Sequence, residues 1–301
     1  MEDVLDLLKI VYQRIKPQDC YTILLRWKAM RMERMLLRRE DRYKVNNIPR
    51  NKKIIVSLTS YPARFESLHL VIRSMLLQTM APDEIILYLD NDDVVEKVPE
   101  SLEGLKEYGL KIEWRPGRIK PHKKYYYAIQ EHPNDIIITV DDDCLYPDDL
   151  IECLYKTHLQ FPDCVVARRA RKISFGKDKK IKSYNQWYLI GVKKGKPSLS
   201  LVATGVGGVL YPPHCMHQDM FEQELFLKLA PQTDDLWLKI MQIKVGTKVV
   251  TCGWKSVHKR ALIPGTQEQA LSYDNVLNNK NDECVRKLMR YYQLIAEDFG
   301  C

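Results

Sequence analysis

The amino-acid sequence predicts an α/β protein: a mostly parallel sheet flanked by helices, preceded by a basic helical arm. Three observations carry that reading. Short β-branched apolar runs alternate with stretches of helical periodicity between Lys53 and Thr251. The runs are apolar throughout, as strands buried on both faces are. The 301 residues are 45% hydrophobic and 29% charged, a globular balance that excludes a disordered or collagen-like chain.

The arm comes first. Between Arg14 and Lys53, thirteen Lys or Arg stand against four acids, a surplus of nine in a chain of net charge +8, so the remainder is close to neutral. Tyr21 to Arg39 reads as a helix, with Leu25, Ala29, Met32 and Leu36 in one stripe and Trp27 and Met30 off it. Two readings stay open. Residues 14–53 form a surface for an anionic membrane, or the helix packs on the main domain with its basic face in water. Nucleic acid is the weaker third reading, because no recognition motif accompanies the charge.

The sheet pattern follows. Lys53 to Leu58 is the first strand. Ser67 to Gln78 is helical, with Leu68, Ile72, Met75 and Leu76 near one face. Pro82-Asp83 punctuates, and Glu84 to Leu89 is the second apolar strand. Leu102 to Tyr108 reads as a short helix, Lys111 to Trp114 as a strand, Lys123 to Gln130 as a helix and Asp135 to Val140 as a third apolar strand. Thr233 opens a later helix, Lys248 to Thr251 is a strand, and Asp282 to Phe299 is a terminal helix. The expected organisation is an arm at 1–52, a main domain at 53–265 with halves meeting at 145/146, and a loop and helix at 266–301.

No run approaches the roughly 18 apolar residues of a membrane span. The start, MEDVLDLLK, lacks the order of a signal peptide. Eight scattered cysteines without a CxxC pair argue against a zinc site and a disulfide framework. The expectation is a cytoplasmic protein with reduced thiols, peripheral at most on the inner face of the plasma membrane.

In parallel sheets, ligands bind beyond the carboxyl ends of the strands. The first strand runs into Thr59-Ser60-Tyr61-Pro62-Ala63-Arg64, the second into Asp90-Asn91-Asp92-Asp93, the third into Asp141-Asp142-Asp143. Three adjacent acids repel one another, which predicts a cation, and hard oxygen ligands select Mg²⁺ or Mn²⁺. The alternative, a helix N-cap cluster, is a role the pattern gives to Asp148. Gly205-Val206-Gly207-Gly208 does not extend to GxGxxG, since the third glycine position is Leu210, and Gly191 to Pro197 does not fit a P-loop. Dinucleotide oxidoreductases and P-loop kinases are therefore poor readings.

The ordered segments VSLTSYPAR, SMLLQT, EIILYLDND and IIITVDDDCLYP resemble the GT-A glycosyltransferases. They are most similar to bacterial family-2-like sugar transferases of surface-polysaccharide synthesis, over Lys53 to His258. The resemblance implies a UDP-sugar donor, a glycan or lipid-linked glycan acceptor, Mn²⁺ or Mg²⁺ as cofactor, and a single in-line displacement with inversion. By the same resemblance Thr59, Tyr61, Arg64 and Asp90, with Asn91 or Asp92, hold the nucleotide, and Lys123 rather than Lys124 meets the diphosphate. Asp141 lies near the ribose or a metal-bound water, Asp142 is placed with it among the nucleotide-sugar-binding residues, and Asp143 ligates the metal with His258. Gly207, in the segment 203–210, lets the backbone approach the donor sugar. Asp235 is the expected catalytic base, and Asp234 is either that base or a helix cap. Pro264 to Gln267 reads as a mobile loop over the donor. Two rival readings are a nucleotide-sugar-binding module without catalysis and a sugar-nucleotide pyrophosphorylase, whose glycine-rich loop after the first strand is absent.

Overall fold

A computed structural model describes residues 27, 30–93, 97–190, 194–253, 261–263 and 279–301. Four strands run parallel: β1 (Ile54–Thr59), β2 (Glu84–Asp90), β3 (Leu110–Arg115) and β4 (Ile136–Thr139). β6 (Val165–Ala167) and β11 (Val249–Thr251) also pair parallel, and β10 (Val209–Tyr211) lies antiparallel between β4 and β6. The order across this seven-stranded sheet is β11-β6-β10-β4-β1-β2-β3. β7 (Ala170–Lys172), β8 (Tyr188–Ile190) and β9 (Leu201–Ala203) make a separate antiparallel sheet, and β5 (Cys144–Leu145) pairs with β12 (Ala261–Leu262).

Both faces of the sheet are covered, which is why its strands are apolar throughout. Alternate side chains point to opposite faces. In β1, Ile54, Val56 and Leu58 enter one core and Ile55 enters another. The first core is closed by α1 (Phe65–Leu76) and α4 (Leu150–His158), the second side by α3 (Lys123–Glu131), with α6 (Asp234–Lys244), α5 (Gln223–Leu229) and α7 (Lys280–Tyr292) over the β10 half. Leu68, Ile72 and Met75 of α1 are fully buried at helical spacing. Each such side chain contributes about 1.5–3 kcal/mol relative to exposure.

Among the described residues, the sequence-predicted elements are present, with shifted ends. The expected helix at 102–108 is one helical turn, α2 (Glu100–Glu103), continuing as a 3-10 turn (Gly104–Tyr108), and Gly109 at φ 104° ends it in a left-handed conformation. The terminal helix stops at Tyr292, and a 3-10 turn (Ala296–Phe299) follows. The N-cap of α4 is Asp149, not Asp148, and the Asp149 carboxylate accepts from Arg168 at 3.1 Å rather than from a helix N–H.

Residues 30–37 of the arm are helical. Met32 and Leu36 turn inward onto the first core, so the packed reading of the arm holds for that face. Tyr43 fastens it: its hydroxyl donates to the Leu36 carbonyl, and Arg73 of α1 reaches Tyr43 and Glu40. Leu25 and Ala29 lie outside the described residues. Among the described residues, no helix is long and apolar enough to cross a membrane, and all seven cysteines are free thiols.

Candidate active site

The topology brings four acidic or polar segments to one edge. β1, β2 and β4 are parallel, so Thr59, Asp90 and the turn after Thr139 share the carboxyl end. β10 pairs antiparallel with Val209 opposite Thr139, so the chain entering it, Thr204 to Gly208, arrives at the same edge. The start of α3 is tied there too, because Ser57 Oγ donates to the Lys124 carbonyl.

Lys124 is the hub. Its Nζ lies 2.7 Å from Asp141 Oδ1 and 2.9 Å from Asp234 Oδ2, joining the β4 turn to the first residue of α6. Burial opposes the ammonium charge, but Asp141, Asp234 and Asp235 overcome it and raise the Lys124 pKa well above the usual lysine value. Asp235 is held by the Gly205 N–H, 3.0 Å from Oδ1 and 3.1 Å from Oδ2. Burial, then repulsion from Asp234, pushes its carboxyl up to about 8 against the pull of Lys124. Asp235 sits deep among packed atoms yet keeps part of its surface open, whereas Asp234 is buried.

Gly205 makes this closeness possible. A Cβ there would stand 3.0 Å from Lys124 Nζ, 3.1 Å from Asp141 Oδ1 and 3.3 Å from Asp235 Oδ1. Gly207, the position expected at the donor sugar, instead faces Arg169, whose backbone nitrogen would lie 3.0 Å from an added Cβ. Its small size serves packing.

The repulsion among Asp141, Asp142 and Asp143 is met in part by the protein's own cations. Asp142 accepts from Arg64 and, at 2.6 Å, from Ser60 Oγ. Burial lifts the Asp142 carboxyl to about 6 in spite of Arg64. Arg64 Nη1 is also 3.7 Å from Asp143 Oδ2, and its guanidinium stands 5.2 Å from the Tyr61 ring. Arg64 thus braces the acidic turn. The Asp143 carbonyl accepts from Ile263 N at 3.0 Å, and the Asp141 N–H donates to Tyr146 Oη at 2.8 Å.

On the β2 side, Lys123 is buried and ion-paired with Asp90. The ammonium expected on a diphosphate is therefore occupied within the fold, and Lys124 is the one that faces the acidic cluster. Asp90 Oδ1 is buried without a hydrogen-bond partner among the described residues. The Thr59 hydroxyl donates to the Tyr88 carbonyl at 2.8 Å. Asp92 is half exposed, 3.9 Å from Arg118 Nε. His258 and residues 264–267 lie outside the described residues. Asp234 does not cap its helix; Thr233 is the N-cap, without a side-chain cap bond. Sequence reasoning passed over Ser60, Gly205 and Tyr146. Gly205 and Gly207 cannot be told apart by spacing, since only the partner across the turn distinguishes them.

This mostly parallel α/β sheet, with acidic turns at its carboxyl edge, is the architecture expected of a GT-A glycosyltransferase. The glycosyl transferase family 2 model matches residues 56–209, just over half of the chain, and the chain belongs to that family. Asp234, Asp235 and His258 lie beyond the matched segment. No curated protein matches the chain.

Among solved structures, GalNAc-T7 with UDP, GalNAc and Mn²⁺ is similar at 12% identity and TM-score 0.45, over 69% of this chain and 46% of that one. TarS 1-349 of S. aureus in complex with UDP is similar at 10% identity and TM-score 0.44, over 66% and 57%. The mannosyltransferase PcManGT of Pyrobaculum calidifontis, with GDP-Man and Mn²⁺, is similar at 15% identity and TM-score 0.42, over 76% and 61%. The chain thus spans about half to three-fifths of the length of these structures.

Proposed function

We propose that this glycosyltransferase moves a sugar from a UDP-sugar to a glycan or lipid-linked glycan acceptor, with inversion at the anomeric carbon. The observation that carries the reading is that Asp141, Asp234 and Asp235 gather around Lys124 and Gly205 at the sheet edge to which Asp90, at the end of β2, and Asp143, in the turn after β4, also belong.

The residue roles follow from the surroundings. Among the described residues Asp90 Oδ1 is a buried acceptor without a donor, a costly state. A uracil N–H or ribose hydroxyl of the donor would satisfy it. Thr59 ends β1 beside β2 at the same sheet edge, Tyr61 follows it, and Asp92 lies two residues beyond Asp90. Asp235 is the base: it keeps open surface, while Asp234 is committed to Lys124. A carboxylate with raised pKa is the stronger proton acceptor. Asp235 takes the proton of the acceptor hydroxyl as that oxygen bonds to the anomeric carbon. The bond from that carbon to the diphosphate oxygen breaks on the opposite side. Lys124 holds Asp234 and Asp141 in place.

The donor set fits a divalent cation in one respect. Among the described residues no three His, Cys, Asp or Glu side chains converge on one point. Yet Mg²⁺ is usually held by one or two carboxylates plus substrate phosphates, and Asp143, with Asp141, supplies hard oxygen donors of that number. His258 is the proposed further ligand. When bound, Mn²⁺ or Mg²⁺ would neutralise charge on the departing nucleoside diphosphate.

A screen of UDP- and GDP-sugars, read by nucleotide release and by thermal stabilisation, tests the proposal. The expected result is release from one UDP-sugar, lost in EDTA, restored by Mn²⁺ or Mg²⁺ and abolished in Asp143→Ala. Full activity in chelator overturns the metal. A product retaining the donor's anomeric configuration, read by NMR, overturns the single displacement.

A further inference from the structure

The arm helix buries only one side. Met32 and Leu36 face the core, while Trp27, Met30, Arg31, Arg34 and Arg38 lie on the opposite side at helical spacing, with Met35 exposed on one flank. Trp27 is 55% exposed and Met30 48%. A helix that needed only to pack would present polar side chains to water, and a tryptophan with two methionines there is unexplained by folding. The charge on this side is of one sign. Glu33 is the only acid between Trp27 and Arg39, and its position falls on the flank. Among the described residues Arg31, Arg34 and Arg38 have no ion-pair partner, whereas Glu40 is taken by Arg73. The Arg31 guanidinium lies 5.6 Å from the Trp27 ring, so cation and ring form one surface. The sequence before Trp27 adds Arg14, Lys16 and Arg26.

We propose that the outward face of the arm helix, centred on Trp27, Met30, Arg31, Arg34 and Arg38, docks on an anionic lipid bilayer. Arginines meet the headgroup phosphates, and Trp27 and Met30 enter the boundary between headgroups and acyl chains. The interleaving of apolar and basic side chains favours lipid over a polyanion in water, because a nucleic-acid backbone would leave Met30 and Met35 nothing to bury against. This inference is independent of the sugar donor and acceptor.

Cosedimentation of the full-length protein with vesicles tests it. With phosphatidylcholine containing about one-third phosphatidylserine, the protein should partition to the pellet at low salt and return to the supernatant at high salt. Pure phosphatidylcholine should not hold it. Each arginine near an anionic surface contributes about fivefold, so R31Q/R34Q/R38Q should weaken partition about a hundredfold. W27A/M30S should weaken it about tenfold with the charge intact. Nucleotide release with a soluble acceptor should be unchanged in both variants, which shows that they fold. Wild-type protein left in the supernatant overturns the proposal, as does a triple variant that binds like wild type. Unchanged binding by W27A/M30S, together with displacement from vesicles by single-stranded DNA, overturns it in favour of nucleic acid.

Discussion

Replacing Lys124 by Met tests the hub of the site. The side chain is 7% exposed, with carboxylates at 2.7 and 2.9 Å and Asp235 close by. Methionine keeps the length and removes the charge. Breaking a buried ion pair by deleting one partner costs about 3–5 kcal/mol, because the remaining charges are left uncompensated. The loss should depend on pH with a definite sign. Without Lys124, Asp235 loses the cation that holds its carboxyl down, so its folded pKa stands still further above its unfolded value near 4. Groups of that kind stabilise the fold when protonated, and the contribution is lost as pH rises through the folded pKa. Asp235 already stands at about 8 with Lys124 present. The deficit of Lys124→Met should therefore be smaller near pH 5 and grow as pH rises through 8, where Asp235 ionises in the wild type but stays protonated in the variant. Urea denaturation at both pH values reads it. Adding Asp234→Asn to the variant should recover part of the loss at pH 8 by removing one repelling charge. A deficit below about 1 kcal/mol at pH 8, or one independent of pH, would refute the assignment of Lys124 as the counter-ion of this cluster.

Asp235→Asn should lower turnover about 10²–10⁴-fold while donor affinity stays nearly unchanged, since the amide cannot accept the acceptor's proton. If Asp234→Asn is instead the variant that loses turnover with stability intact, the base is the neighbouring residue. The kcat/KM profile of the wild type should rise with pH on a limb displaced from the ordinary carboxylate range toward 8, because Asp235 must be deprotonated to act. A limb near 4 would show that Asp235 does not set it. Gly205→Ala and Gly207→Ala should separate function from packing. The first crowds Lys124, Asp141 and Asp235 and should reduce activity more than stability; the second drives a methyl against the Arg169 backbone and should cost about 1–3 kcal/mol of stability. Equal effects on both measures would mean that the two glycines do the same job.

The sequence by itself determined the sheet, because its signals are local and redundant. Ile54 to Leu58, Ile85 to Leu89 and Ile136 to Val140 are apolar at every position but Ser57 and Thr139, or carry Tyr88, and no arrangement but burial on both faces accommodates them. The acidic turn at Asp141 to Asp143 was legible for the same reason, as it follows directly from a buried strand. Only the tertiary structure decided which neighbour does what. Lys123 and Lys124 are adjacent on one helix start, yet one neutralises Asp90 and the other Asp141 and Asp234. Side chains one residue apart on a helix point about 100° from each other, and no local pattern says which direction holds the cluster. Arg64 is the same case: its side chain folds back onto Asp142 across 78 residues of sequence, a pairing set by where β1 and β4 lie in the sheet. The arm divides likewise. Its charge and its off-stripe Trp27 and Met30 were plain in the sequence, but which side meets the core was settled only by Leu36 and Tyr43 packing against α1.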